Sequence, residues 1–213
     1  MGARATEEPR AYHHGNLRRA VLDAALALLA ERGHHDFTLR ELARVAGVTH
    51  NAPYRHFASK ADVLAALRDE GLAKLAEAEH AALDAAGPNP RDRVQALGES
   101  YVRFALEQPT LFRLVLAAPL EEGEPPQASA RSQASSESYR LLEATLEEAR
   151  RAGAVRQDLS ARELALAAWA FVHGISTLLV SGRLPATSAA VERYVALLST
   201  MFFEGAAHAR PRR

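Results

Sequence analysis

Apolar residues recur at helical spacing along most of this chain, and no stretch alternates with the two-residue period of a strand. Leu17, Val21, Ala24, Ala25, Leu28 and Leu29 share one face, with Asn16 as the expected cap and Gly33 as the stop. Thr38 opens a second helix. Glu41 sits three residues on, which predicts a capping box. Leu39, Leu42, Ala43 and Ala46 make the apolar face, and Gly47 supplies the left-handed residue that ends it. Val48 is a single apolar residue in the turn, and Thr49 is the expected cap of a third helix over about 50–57. Pro53 lacks a backbone donor, so that helix must start tightly or late. Ser59 and Asp62 then predict the start of a long helix over 62–86, rich in alanine and leucine. Further helices are predicted over 92–108, 110–118, 137–152, 160–181 and 188 to about 205. Residues 120–136 have the composition of a loop. The predicted fold class is all-α.

Two short helices around a glycine turn form a helix-turn-helix, whose second helix enters the major groove of DNA. Such pairs also occur in all-α proteins that never meet DNA, so the side chains carry the reading. His50, Asn51 and Ala52 fall at the end of the second helix that approaches base edges. Asparagine binds adenine through two hydrogen bonds, worth roughly 1–3 kcal/mol of discrimination. Tyr54, Arg55, His56 and Lys60 are donors placed to reach phosphates, which set register without carrying sequence information. Arg18 and Arg19 either approach phosphates or are ordinary solvated arginines.

The segments AALALLAERG, TLRELARVAGV and PYRHFASKADVL, over about residues 15–67, resemble the TetR family of transcriptional regulators. The resemblance implies Thr38, Tyr54, His56 and Lys60 as phosphate contacts. It implies Arg40, His50, Asn51 and Ala52 as base-reading positions, beside the cap Thr49. It also implies an organisation: a flexible arm over 1–14, a three-helix DNA-binding head over 15–60, a connecting helix over 61–86, a helical effector-binding and dimerisation domain over 87–207, and a flexible tail over 208–213. The function it implies is repression at a palindromic operator by a homodimer, relieved by a small, apolar effector. The alternative is a helical ligand-binding or adaptor protein without DNA binding.

The segment WAFVHG at 169–174, with PTLFRLVL after Gln108, is similar to a TetR subgroup whose C-terminal domain is named for its Trp, His and Gly. Trp169 and His173 share a helix face and either line an effector pocket or pack a helix interface. The effector candidates are Tyr101, Phe104, Phe112, Leu116, Tyr139, Leu142, Trp169 and His173. At helical spacing the same residues also suit a core.

The last two predicted helices are apolar well beyond one face, so they must be buried on more than one side. Either they form a deep monomeric core, or they pair with their copies as a four-helix bundle about a two-fold axis. The dimer reading takes Phe171, Ile175, Leu178, Val191, Tyr194, Val195, Leu198 and Phe202. Such a dimer would set two heads about 34 Å apart, the spacing of successive major grooves.

Composition narrows the rest. Of 213 residues, 48% are apolar, which suffices for a core. There is no cysteine, which excludes disulfides and Cys-based zinc sites. The pair His34 and His35 lacks carboxylate or cysteine partners nearby, so no metal site and no cofactor are expected. No run of about 18 apolar residues predicts a membrane span, and no apolar signal region opens the chain; a cytoplasmic protein is expected. Net charge is zero, but residues 1–60 carry nine Lys and Arg against six Asp and Glu, and the remainder 17 against 20. A head of +3 on a body of −3 suits DNA reading with moderate non-specific affinity. The chain lacks a Gly-rich phosphate loop, HExxH and GxSxG, so no enzyme activity is expected.

Overall fold

The computed structural model describes residues 17–32, 36–116 and 137–207. Among them are eight α-helices and no strand, as the periodicity predicts: α1 (Leu17–Arg32), α2 (Leu39–Val45), α3 (Lys60–Ala85), α4 (Pro90–Glu107), α5 (Pro109–Leu116), α6 (Glu137–Arg151), α7 (Ala161–Val180) and α8 (Ser188–Ala207). A single 3₁₀ turn, Pro53–Arg55, lies between α2 and α3. The expected arm, the pair His34 and His35, the loop over 120–136 and the tail over 208–213 lie outside the described residues. The chain divides into two compact units between Leu67 and Arg68.

In the first unit α1 buries Leu17, Val21, Leu22, Ala24, Ala25, Leu28 and Leu29, the face its spacing predicts. Phe37, Leu39, Leu42, Phe57, Val63, Leu64 and Leu67 complete this core. Thr38 caps α2, its Oγ1 accepting the Glu41 N–H at 3.2 Å. The expected capping box is only half made. Glu41 turns its carboxylate to Arg32, 2.6 Å away, because a two-pronged charged partner outbids a neutral amide. Gly47 ends the helix at φ +67°. Ser59 and Asp62 form the reciprocal pair expected at the next start, at 2.9 and 3.2 Å.

The helix predicted over about 50–57 is much shorter. The Ala52 N–H bonds to Thr49 O, and the chain then tightens into the 3₁₀ turn Pro53–Arg55. Pro53 is the cause: at the first position of a turn its missing N–H costs nothing, whereas deeper in a helix it would break the ladder.

In the second unit α4 packs against α5, α6, α7 and α8. Val94, Leu146, Ala149, Val155, Leu164, Ala165 and Phe202 form a buried cluster. Asn89 caps α4, and Ser160 with Glu163 makes a complete capping box at the start of α7. Gly71 lies buried within α3, where a Cβ would stand 2.8 Å from Val115 Cγ2. A mid-helix glycine costs about 1 kcal/mol against alanine; here close packing against α5 explains it.

Among the described residues one helix, α7, is long and apolar enough to cross a membrane by length and composition, with a mean hydropathy of 1.6 over its best window. That is a stronger apolar signal than the sequence reading assigned. The cause is the alanine and leucine that fill its faces, with charge confined to Arg162 and Glu163 at its start.

Candidate nucleic-acid interface and ligand cavity

The candidate DNA-contact residues occupy the surface of the first unit. Thr38, Arg40, Thr49, His50, Asn51, Tyr54, Arg55, His56 and Lys60 are all exposed. Tyr54 is half exposed despite its ring, an uncommon placement for an aromatic residue beside a core. The core side of the same segment is held by Pro53 and Phe57, both buried. The turn therefore alternates inward anchors with outward donors. Lys60 lies with its ammonium 6.0 Å from the Phe37 ring centroid, and Arg18 stands 5.6 Å from that of Phe57. Arg19 pairs with Asp23 at 2.6 Å, the bland of its two readings. Ala52 departs from the expected set: it is buried at 9% exposure, because the tightened turn rotates it toward Pro53 and the core.

The second unit holds a cavity of about 530 Å³. Of the expected effector residues, Tyr101, Tyr139, Leu142 and Trp169 line it. Phe104 and Phe112 do not: both are buried core, the second of the two readings left open by their spacing. The side chain of Leu116 lies outside the described residues. His173 sits behind the lining, its Nδ1 3.3 Å from the Tyr101 hydroxyl and its ring 5.2 Å from Trp169 and 6.1 Å from Phe112. Burial lowers the His173 pKa, favouring the neutral imidazole. Burial also pushes the Tyr101 phenol up to about 12, so it stays a donor.

Glu79 is the polar group that sequence reasoning missed. It lines the cavity from α3 at 3% exposure. The Ser138 hydroxyl donates to its Oε1 at 2.8 Å, and its Oε2 is buried without a partner. Burial pushes its carboxyl up to about 7, against the smaller opposing effect of the Ser138 hydrogen bond. A signal existed. Glu79 follows Leu72 and Leu75 and precedes Leu83 on one helical stripe, where a carboxylate is out of place.

The apolar faces of α7 and α8 are incompletely covered. Leu166, Phe171, Leu178, Leu197 and Met201 are all exposed large hydrophobic residues, with Leu166 and Leu197 at 57%. Of the expected dimer residues, Phe171 and Leu178 are exposed, and Ile175, Val191, Tyr194, Val195 and Leu198 are partly exposed. Phe202 is not available: it is spent inside the protomer, 8% exposed in the buried cluster and edge-on to Phe203 and Phe171. Leu166, Leu197 and Met201 take its place on the open surface.

Two family profiles match the chain. One, described as bacterial regulatory proteins of the tetR family, covers residues 21–67. The other, described as a tetracyclin repressor-like C-terminal domain, covers residues 94–202. The chain belongs to the TetR family. Among solved structures, a protein of unknown function from Rhodococcus sp. RHA1 is 35% identical, with a TM-score of 0.78 over 94% of this chain and 100% of that one. The fatty acid degradation regulator FadR from Bacillus halodurans shares the fold at 18% identity, with a TM-score of 0.72 over 93% and 100% of the two chains. The HTH-type transcriptional regulator BetI of Rhizobium meliloti is 40% identical over 80 residues, which span 38% of this chain and 39% of that protein. The alignments with the first two curated relatives thus span well under half of those proteins' lengths. BetI of Rhizobium meliloti and AcrR of Shigella flexneri are both named as HTH-type transcriptional regulators. The N-terminal match covers the helix-turn-helix segment, and the C-terminal match covers α4 to α8 up to Phe202.

Proposed function

We infer that this TetR-family chain is a DNA-binding repressor that acts as a homodimer on a palindromic operator and is released by a small-molecule effector. The observation that carries the DNA part is the exposure of Asn51, Tyr54, His56 and Lys60 around a turn whose Pro53 and Phe57 are locked in the core. Donors held on a rigid turn lose little entropy on meeting a phosphate. Asn51 and His50, with Arg40, are the residues assigned to base edges, and Thr38, Tyr54, His56 and Lys60 to phosphates. Ala52 is left out of that set because it faces inward. Two-fold pairing through α7 and α8 accounts for five exposed large side chains on adjacent helices, more than isolated surface residues explain. The cavity supports the effector part: it is mostly apolar, has a few polar groups, and is of a size typical for small-molecule sites. The Bacillus halodurans relative is named for fatty acid degradation, which puts molecules with a long apolar chain among the first to try. A cytoplasmic location follows from the proposed role.

Selection of bound sequences from random DNA by the purified protein tests the reading. The expected product is an inverted repeat with half-sites one or more helical turns apart. Recovery of no enriched sequence would support the helical adaptor instead, and a single half-site bound by a monomer would overturn the dimer.

A further inference from the structure

The chemistry of the cavity specifies what its ligand must carry, on the reading that this cavity is the effector site. Glu79 projects from an otherwise apolar stripe of α3. Its neighbours on the lining include Tyr101, Tyr139, Trp169 and Phe171, with Tyr139 edge-on to Trp169 at 6.3 Å. Ser138 satisfies one carboxylate oxygen and leaves the other buried and unpartnered. No lysine or arginine among the described residues forms an ion pair with Glu79. The titratable groups that act on it are His80 and Glu137, which pair with each other at 2.9 Å. The other charged lining residues, Arg162 and Glu163, are exposed at the start of α7.

A buried carboxylate without a cation is expensive, so burial favours its neutral form, and a cation brought to the open oxygen is what returns it to the charged one. Aromatic side chains on the same lining favour the same sign, because ring quadrupoles attract cations. An anionic head group would be repelled by Glu79 in its charged form. We propose that the effector is an apolar molecule bearing a protonated amine, whose ammonium group donates to Glu79 Oε2 while its tail lies along the aromatic and aliphatic lining.

The chain has a single tryptophan, Trp169, and it lines the cavity, so intrinsic fluorescence reads ligand entry directly. Three ligands of equal chain length separate head group from tail: dodecylammonium, dodecanol and dodecanoate. In the full-length protein dodecylammonium is expected to bind at least about ten-fold more tightly than dodecanol, with dodecanoate weakest. In Glu79→Gln the amine should fall to within about two-fold of dodecanol, while dodecanol binding stays unchanged. Circular dichroism checks that the variant keeps its helices. Thermal shift of the unmodified protein by the three ligands gives the same ranking without any substitution.

Dodecanol or dodecanoate binding as tightly as the amine would overturn the proposal, as would a preference that survives Glu79→Gln. Failure of the proposal alone would show as dodecanol moving Trp169 emission and releasing DNA without any advantage for the amine. If none of the three ligands perturbs Trp169, the effector reading of this cavity falls together with the proposal.

Discussion

On the proposed assignment, Tyr54, Lys60 and Asn51 make separable demands on DNA. Removing the phenol or the ammonium (Tyr54→Ala, Lys60→Ala) should weaken binding to every sequence alike, and Lys60→Ala should lower the salt slope by about one. Asn51→Ala should instead relax sequence preference at one position by roughly 1–3 kcal/mol. Titrations of operator and scrambled DNA at several salt concentrations distinguish the two patterns; equal losses for all three variants would refute the assignment. Glu79 gives a second residue-scale outcome. Its carboxyl lies near 7 when folded against an ordinary 4.5, so the folded state holds the proton more tightly. Stability from this group is full below about 4.5, declines as pH rises to about 7, and is lost above it, a change on the order of 3 kcal/mol. His173 works the other way, since its lowered value destabilises the fold as pH falls through 6.5. The difference between unmodified protein and Glu79→Gln isolates the carboxyl: denaturant melts at pH 5 and pH 8 should show the variant gaining relative stability at pH 8. That Thr38 and Ser59 cap helices was legible in the sequence, because a cap depends on three or four neighbours in the chain, whereas Thr49, expected to cap the third helix, caps none once that segment narrows to a turn without a side-chain cap. That Glu41 would desert its cap for Arg32 was not, because nine residues and a change of helix separate them.

Helix starts and stops follow the predicted positions within a few residues, except where proline intervened. Pro53 signalled trouble in the sequence, yet only the backbone bonds from Thr49 to Phe57 reveal that the whole segment narrows to a 3₁₀ turn and draws Ala52 inward. The α7 and α8 stripes were legible as wide apolar faces, but spacing alone could not say that Phe202 turns inward while Leu197 and Met201 stay out. Glu79 was out of place on its apolar stripe, but a helical stripe looks identical whether it meets a core or a cavity, so the sequence did not place it on a cavity wall. Packing between elements yields a further test. Alanine at position 71 would bring its Cβ to 2.8 Å from Val115 Cγ2. Overpacking of this kind costs typically 1–3 kcal/mol, which outweighs the gain of about 1 kcal/mol in helix propensity. Gly71→Ala should therefore melt below the unmodified protein, and the double variant Gly71→Ala with Val115→Ala should recover part of the loss. A Gly71→Ala variant that melts higher would show that α3 and α5 can separate freely.

At the scale of the molecule, the proposed pairing can be broken without touching either core. Leu197 and Met201 are exposed and lie four apart on α8. Charging both (Leu197→Glu with Met201→Glu) should convert a dimer into a helical monomer in sedimentation and abolish tight operator binding, leaving far-UV dichroism intact. A variant that still sediments as a dimer would place the interface elsewhere. An unpaired copy would also leave open one face of α7, a helix whose composition suits a lipid bilayer. Newly made chains would pass through that condition before meeting a second copy, and the interval shortens as copy number rises. Over the range where subunits find each other, recovery of dispersed protein from cells should thus improve with expression level, the reverse of the trend usual for aggregation-prone chains.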